Sequence, residues 1–182
     1  MLCAFDEQIQ NEDRLNLLVD KVRNGYPLQY ALGHTFFINS SYKVSSDVLI
    51  PRPETEELAF SSKTMIEKYF LNKDKINIAD IGTGSGILAI YLKENFKNSD
   101  VFAVDISEKA LDIAKTNAKE HNVKINFVCD NMVDYFINNN IRLDVLISNP
   151  PYIEDVNTID KNVFDYEPHL ALLASPSTKF YK

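Results

Sequence analysis

Tryptophan is absent from the 182 residues, and cysteine and histidine are almost so, with two of the first and three of the second. Cys3 and Cys129 are too few and too far apart to read as a disulfide framework, a redox pair or a zinc site. His34, His121 and His169 are scattered without metal-ligand spacing, so no metal is expected. Positive charge is also short. Nineteen Lys and Arg stand against 26 Asp and Glu, a net charge of −7, which is the reverse of the basic footprint of a nucleic-acid binder. No apolar run approaches a membrane span, and no signal-peptide pattern opens the chain. These absences lead to the expectation of a cytoplasmic protein with no direct nucleic-acid, membrane or metal partner. The length suits one domain with a real core, and neither repeats nor low-complexity segments interrupt it.

Glycine is scarce too, but three of the five glycines fall together in Gly82-Thr83-Gly84-Ser85-Gly86. They follow the strand-like run Ile76–Ile81 and precede Ile87–Leu92, which has helical character. A glycine turn from strand to helix lets the backbone approach a ligand and offers unpaired N–H groups at the helix start. Nucleotide, flavin and methyl-donor enzymes share that device. The dinucleotide fingerprint would want a glycine where Ile87 stands, and no Lys-Ser or Lys-Thr follows to make a P-loop. Asp80, just before the glycines, suits either orienting the turn or receiving a ligand amino group. A second strand, Val101–Asp105, ends in an acid at a spacing that suits ribose hydroxyls, although Asp105 also reads as a cap ahead of Ser107-Glu108. A third strand, Lys124–Val128, leads to Asp130 and Asn131, which a doubly wound sheet would set beside the adenine end of a nucleoside.

The fourth strand, Leu143–Ser148, runs into Asn149-Pro150-Pro151-Tyr152 at its carboxyl end, where open α/β sheets bind ligands. The Asn149 side-chain oxygen and the Pro150 carbonyl are two acceptors able to grip both hydrogens of a planar NH2 group. Pro151 lacks an N–H and stiffens the turn, and Tyr152 offers a flat face for an amide or base. Asn-Pro is also an ordinary turn initiator.

Strand, glycine turn, helix, strand, acid, helix, strand, helix, strand and Asn-Pro-Pro-Tyr in that order resemble a class I S-adenosylmethionine-dependent methyltransferase. Within that class the chain resembles the HemK/PrmC family, the protein-(glutamine-N5) methyltransferases of peptide chain release factors. The segments that carry this resemblance are Pro27–Gly33, Val48–Glu56 with its Pro-Arg-Pro-Glu-Thr-Glu, Ser148–Ile153 and Tyr166-Glu167-Pro168. The resemblance implies an α/β, Rossmann-like, mostly parallel doubly wound sheet, here of about four core strands where the class has seven. It implies S-adenosylmethionine as cofactor, bound by Gly82, Thr83, Gly84, Ser85, Gly86, Asp105, Asn131 and Asn149. It implies a release-factor glutamine amide held by Asn149, Pro150, Pro151 and Tyr152, with Asn149, Pro150 and Tyr152 catalytic. The Pro51–Thr55 loop would close over the donor or the peptide. Two alternatives are an amino-methyltransferase of adenine or guanine in nucleic acid, and an inactive fragment that binds the donor or a release factor.

The expected organisation is a helical segment over 1–33, a linking β-hairpin over 34–52 and a methyltransferase domain over 53–182 that lacks the family's last strands. Within it, helices are expected at Glu12–Arg23, with Leu15, Leu18 and Val22 on one side, and at Glu54–Phe70, with Leu58, Met65, Ile66 and Tyr69 in the core. Another is expected at Ser107–His121, buried through Ala110, Ala114 and Ala118. The hairpin would pair Phe36–Ile38 with Tyr42–Val44 across Asn39-Ser40-Ser41.

Overall fold

The computed structural model describes residues 12–70 and 72–174; the expectations for the first and last residues, including Cys3 and the Phe180-Tyr181-Lys182 end, lie outside them. Two short helices, α1 (Glu12–Arg23) and α2 (Leu28–Leu32), lead into an antiparallel hairpin, β1 (His34–Phe37) with β2 (Ser40–Lys43). Then come α3 (Pro53–Phe70), β3 (Asn77–Ile81), α4 (Ile87–Asn95), β4 (Asp100–Asp105) and α5 (Glu108–Glu120). The chain continues through β5 (Asn126–Cys129), α6 (Asp134–Asn138) and β6 (Val145–Ser148) to a 3-10 turn and two short helices, α7 (Lys161–Tyr166) and α8 (His169–Leu172).

Strands β3 to β6 form one all-parallel sheet in the order β5-β4-β3-β6. Successive side chains of a strand point to opposite faces, and the sheet is covered on both. Ile78, Val101, Ala103 and Ile147 meet α3, α4, α5 and the hairpin in one cluster. Ala79, Ile81, Phe102, Val104 and Val128 meet Phe136 of α6 on the other face. Burial on both faces is why these strands read as continuous apolar runs rather than as alternating ones. The doubly wound α/β fold and its four strands agree with the expectation.

Three local expectations are corrected. The hairpin turn has two residues, Ile38 and Asn39, both at positive φ (42° and 64°), so Ser40 and Ser41 pair within β2. Two central residues at positive φ are the geometry that matches strand twist in a tight hairpin, and the Ile38 N–H is held by Glu56 Oε1 at 3.0 Å. In α3 the buried residues are Thr55, Ala59 and Ile66, with Leu58 partly buried against them, whereas Met65 and Tyr69 are exposed. Met65 sits a quarter turn away from Ile66 and leaves the buried stripe. In α1, Leu18 and Val22 are half-buried and Leu15 is exposed. The expectation for α5 holds: Ser107 caps it, accepting from the Ala110 N–H at 3.2 Å, and Ala110, Ala114 and Ala118 are buried.

Candidate active site

The carboxyl ends of β3, β4, β5 and β6 open onto a cleft of about 280 Å³. Gly82, Gly84 and Gly86 all take positive φ, at 72°, 53° and 81°. The turn they form is tied to the neighbouring strand, because the Gly82 and Thr83 N–H groups both donate to the Val104 carbonyl at 2.9 Å. A side chain added at Gly82 or Gly84 would meet nothing within 4 Å. The cradle therefore stands open to a ligand. At Gly86 an added Cβ would sit 2.9 Å from the Ala114 Cβ, so this glycine serves the close packing of the turn against α5.

Asp105 serves the turn as well as the cleft. Its Oδ2 accepts from the Gly84 N–H and its Oδ1 from the Ser107 N–H, each at 2.9 Å. A carboxylate has about four lone-pair sites, so two backbone bonds leave capacity for ribose hydroxyls. Asp80 lies beneath the glycines, 1% exposed. Its Oδ2 accepts from the Thr83 hydroxyl at 2.6 Å, and its Oδ1 meets no donor among the described residues. Burial, reinforced by Asp105, pushes its carboxyl up to about 6, against the pull of the Thr83 hydroxyl and the Ala89 N–H. A buried carboxylate with acceptor capacity to spare beside an open glycine turn fits a ligand that brings hydrogen-bond donors.

The four segments far apart in sequence that carried the resemblance meet around this cleft. Glu167, its side chain 2% exposed, accepts from Arg52 Nη2 at 2.5 Å and from the Ile50 N–H at 3.2 Å. Tyr30 donates to the Val48 carbonyl at 2.6 Å, and Tyr26 stacks edge-on against Tyr166 at 5.2 Å. Asn117, fully buried, accepts from the Lys43 N–H at 2.7 Å and donates to the Lys43 and Ser85 carbonyls. It joins the hairpin to the glycine turn. At the end of β6 the Ser148 hydroxyl donates to the Ile81 carbonyl at 2.8 Å, and Asn149 Nδ2 donates to Thr55 Oγ1 at 3.3 Å.

Of the expected site residues, Gly82, Thr83, Gly84, Ser85, Asp105, Asn131, Asn149, Pro150 and Pro151 line the cleft, while Gly86 faces α5 instead. Tyr152 is not brought in; it is 71% exposed. Its neighbour Ile153 bonds with the backbone at Leu172 and Ala174, which turns the chain away from the cleft. Sequence reasoning missed Asp47, Met132 and Leu170 as lining residues, and took Thr55 only as the end of a loop closing over the ligand. Thr55 had a signal, since it stands inside Pro-Arg-Pro-Glu-Thr-Glu. Asp47, Asp80, Asp105 and Asp130 line the cleft with no Lys, Arg or His among the described residues there; Asp47 is paired with Lys109 at 3.4 Å from outside the lining, and the lining as a whole is acidic.

Residues 55–165 match the methyltransferase small domain family. The chain belongs to that family. Among curated relatives, it is 39% identical over 177 residues to the release factor glutamine methyltransferase of Bacillus anthracis, covering 95% of this chain and 62% of that protein. It is 43% identical over 161 residues to the release factor glutamine methyltransferase of Flavobacterium psychrophilum, covering 86% of this chain and 55% of that one. This methyltransferase small domain chain thus spans somewhat over half the length of the curated relatives it matches. The resemblance read from the motifs agrees with these relatives. A solved S-adenosylmethionine-dependent methyltransferase from Agrobacterium tumefaciens shares the fold at a TM-score of 0.52 and 16% identity, over 79% of this chain and 49% of that one. Among the described residues no helix is long and apolar enough to cross a membrane.

Proposed function

We propose that this chain transfers a methyl group from S-adenosylmethionine to the side-chain amide nitrogen of the glutamine in the Gly-Gly-Gln motif of peptide chain release factors. The observation that carries this reading is that Asn149 and Pro150, which bring an amide oxygen and a carbonyl as acceptors, line the same acidic cleft as the glycine turn. The similarity to release factor glutamine methyltransferases over most of this chain supports the substrate.

The roles follow from chemistry. Gly82, Thr83, Gly84 and Ser85 line the part of the cleft for methionine and ribose, Gly86 closes the turn behind them against α5, Asp105 accepts from the ribose hydroxyls, and Asn131 borders the adenine. The cleft aspartates favour a cationic donor and disfavour nucleic acid, whose phosphates they repel. Bound there, the donor supplies a methyl already activated on sulfonium sulfur. An amide nitrogen is a poor nucleophile because its lone pair is delocalised into the carbonyl. Asn149 and Pro150 take both amide hydrogens, which orients the nitrogen and builds electron density on it. Pro151 stiffens the grip. Tyr152 packs on the amide only if it swings inward from its exposed position. Orientation then supplies much of the rate, since a well-aligned pair gains up to roughly 7–11 kcal/mol of the barrier from proximity. The same reading makes 53–182 the methyltransferase domain, 34–52 a linking hairpin and 1–33 a helical segment on the protein-substrate side, in a reducing cytoplasm.

The test is methylation with labelled S-adenosylmethionine and three acceptors: a release factor, the same factor with its Gly-Gly-Gln glutamine changed to Ala, and mixed nucleic acid. Label on the first alone supports the proposal. Label on nucleic acid replaces it with an amino-methyltransferase acting on bases, and label on none, with donor binding intact, leaves a binding module. Asn149→Ala is expected to abolish turnover while donor affinity stays within about threefold, as for a group that acts mainly in the transition state.

A further inference from the structure

We infer that Asn117 is a positioning residue of the donor site, the link through which docking of the hairpin sets how tightly the glycine turn holds the donor. The inference rests on the donor reading above for its ligand, though not for its geometry. Asn117 is fully buried in the last turn of α5 and lines no part of the cleft. Its partners are all backbone groups, so the direction of each bond is fixed. Oδ1 accepts from the Lys43 N–H at 2.7 Å, while Nδ2 donates to the Lys43 carbonyl at 3.0 Å and to the Ser85 carbonyl at 2.8 Å. Turning the amide over would set its oxygen against two carbonyls and its NH2 group against an N–H. The amide thus meets Lys43 as a neighbouring strand would, taking both its N–H and its carbonyl, and gives its remaining hydrogen to the glycine turn.

The bond to Ser85 matters because of where that carbonyl sits. The Ser85 carbonyl and the Gly86 N–H belong to one peptide plane. Its N–H end donates to the Thr83 carbonyl at 2.9 Å and its carbonyl end is held by Asn117, so the plane is fixed with its oxygen turned to the interior. Gly84 and Gly86 on either side have no Cβ to resist rotation. Without Asn117 the carbonyl is left buried and unpaired, and the plane gains by swinging it toward water in the cleft, into the space the donor fills. Gly82 and Thr83 are tied to Val104, and Gly84 to Asp105, beside the turn itself; Ser85 is tied through a residue that also holds the hairpin. The same side of α5 carries the rest of that grip. Glu120 pairs with Lys43 Nζ at 2.5 Å, and the His121 ring stacks on Tyr42 at 4.3 Å with Nε2 3.0 Å from the Ser41 carbonyl. Asn117, Glu120 and His121 stand three and four apart, neighbours on one helix face. Loosening β2 therefore loosens Asn117, and donor binding in turn tightens β2, since coupling between two sites is reciprocal.

The test uses S-adenosylhomocysteine, the demethylated donor, as a probe that binds without turnover. In the nitrogen-15-labelled wild type, saturating probe is expected to slow hydrogen exchange of the Lys43 amide at least about fivefold more than that of the Ile38 amide, the hairpin N–H that Glu56 of α3 holds instead. Equal slowing of the two marks general stabilisation and overturns the inference. Calorimetry then gives probe affinities for variants. Asn117→Ala is expected to weaken binding about 5- to 100-fold, the usual span of coupling between sites. His121→Ala, which frees β2 without touching the cleft, is expected to weaken it about threefold or more, and to add less than about twofold in the Asn117→Ala background. A His121→Ala effect of the same size in both backgrounds overturns the link, and so does a His121→Ala chain that binds as the wild type does. Wild-type affinity in Asn117→Ala overturns the positioning role. If Asn117→Ala shows no urea transition of a folded chain, the amide comparison and His121→Ala decide between them. A wild-type chain that binds no probe sinks the donor reading and this inference with it, whereas one that binds it with Lys43 and Ile38 slowed alike sinks the inference alone.

Discussion

Helices α4 and α1 both carry clusters of Leu, Ile or Val in sequence, yet they end in opposite environments. In α4 every residue from Ile87 to Leu92 is buried. In α1, Leu15, Leu17 and Val19 are exposed, and Leu18 and Val22 are half-buried. The difference lies in the neighbours. Helix α4 rests on β3 and β4 between α3 and α5, whereas α1 lies chiefly against the five-residue α2. A helix apolar all round belongs in a core; one with a half-apolar stripe is buried only as far as something is there to cover it. The glycine turn enters α4, so the rigidity of that helix is transmitted to the cleft.

The comparison can be broken most forcefully at the middle of α4. Leu92→Ala is expected to destabilise the chain by about 2–5 kcal/mol, the range for truncating a fully buried Leu, read as a lowered midpoint in urea. The same burial bears on Asp80 below the turn. Its carboxyl is raised from 3.8 to about 6, so between those values the folded chain holds a proton that the unfolded chain has lost. The Asp80 contribution to stability is therefore most favourable below pH 4 and declines as pH rises to about 6. Asp80→Asn should be more stable than wild type at pH 8 by on the order of 3 kcal/mol, with the gap closing below pH 4; an equal gap at both ends would assign the effect to packing. At the entry to α4, Gly86→Ala combines a φ of 81° with a 2.9 Å approach to Ala114. It is expected to cost about 1–3 kcal/mol and to weaken donor binding in the same samples. The other half of the comparison predicts almost nothing. Leu17→Ser in exposed α1 should shift the urea midpoint by less than about 0.5 kcal/mol in equivalent stability, and a loss as large as that of Leu92→Ala would show that α1 is covered in solution.

The strands were legible because a parallel sheet buried on both faces leaves continuous apolar runs, and the turns because Gly82–Gly86 and Asn149–Pro151 have backbone demands of their own. What stayed hidden was pairing across distance. Nothing in the spacing says that Arg52 will meet Glu167, or that Thr55 will meet Asn149. Asn117 lies in the last turn of α5, where an amide ordinarily faces water, and its role emerges only with the hairpin and the glycine turn beside it. Met65 and Tyr69 misled for the complementary reason: periodicity marks a possible face, but the width of the layer beneath decides where the buried stripe ends. Tyr152 belongs to the motif yet stands outside the cleft, because the pairing of Ile153 with the Leu172–Ala174 backbone directs the chain there.

The strand order β5-β4-β3-β6 also has a consequence in time. A chain is made from its amino end, and β3, an interior strand flanked by β4 and β6, is the first of the four to be synthesised. Of the four described strands, β4 and β5 then add on one side, and β6, which delivers Asn149 on the other side, is made last. The half of the cleft that would hold a donor can be assembled while the half that would hold an acceptor is still being translated.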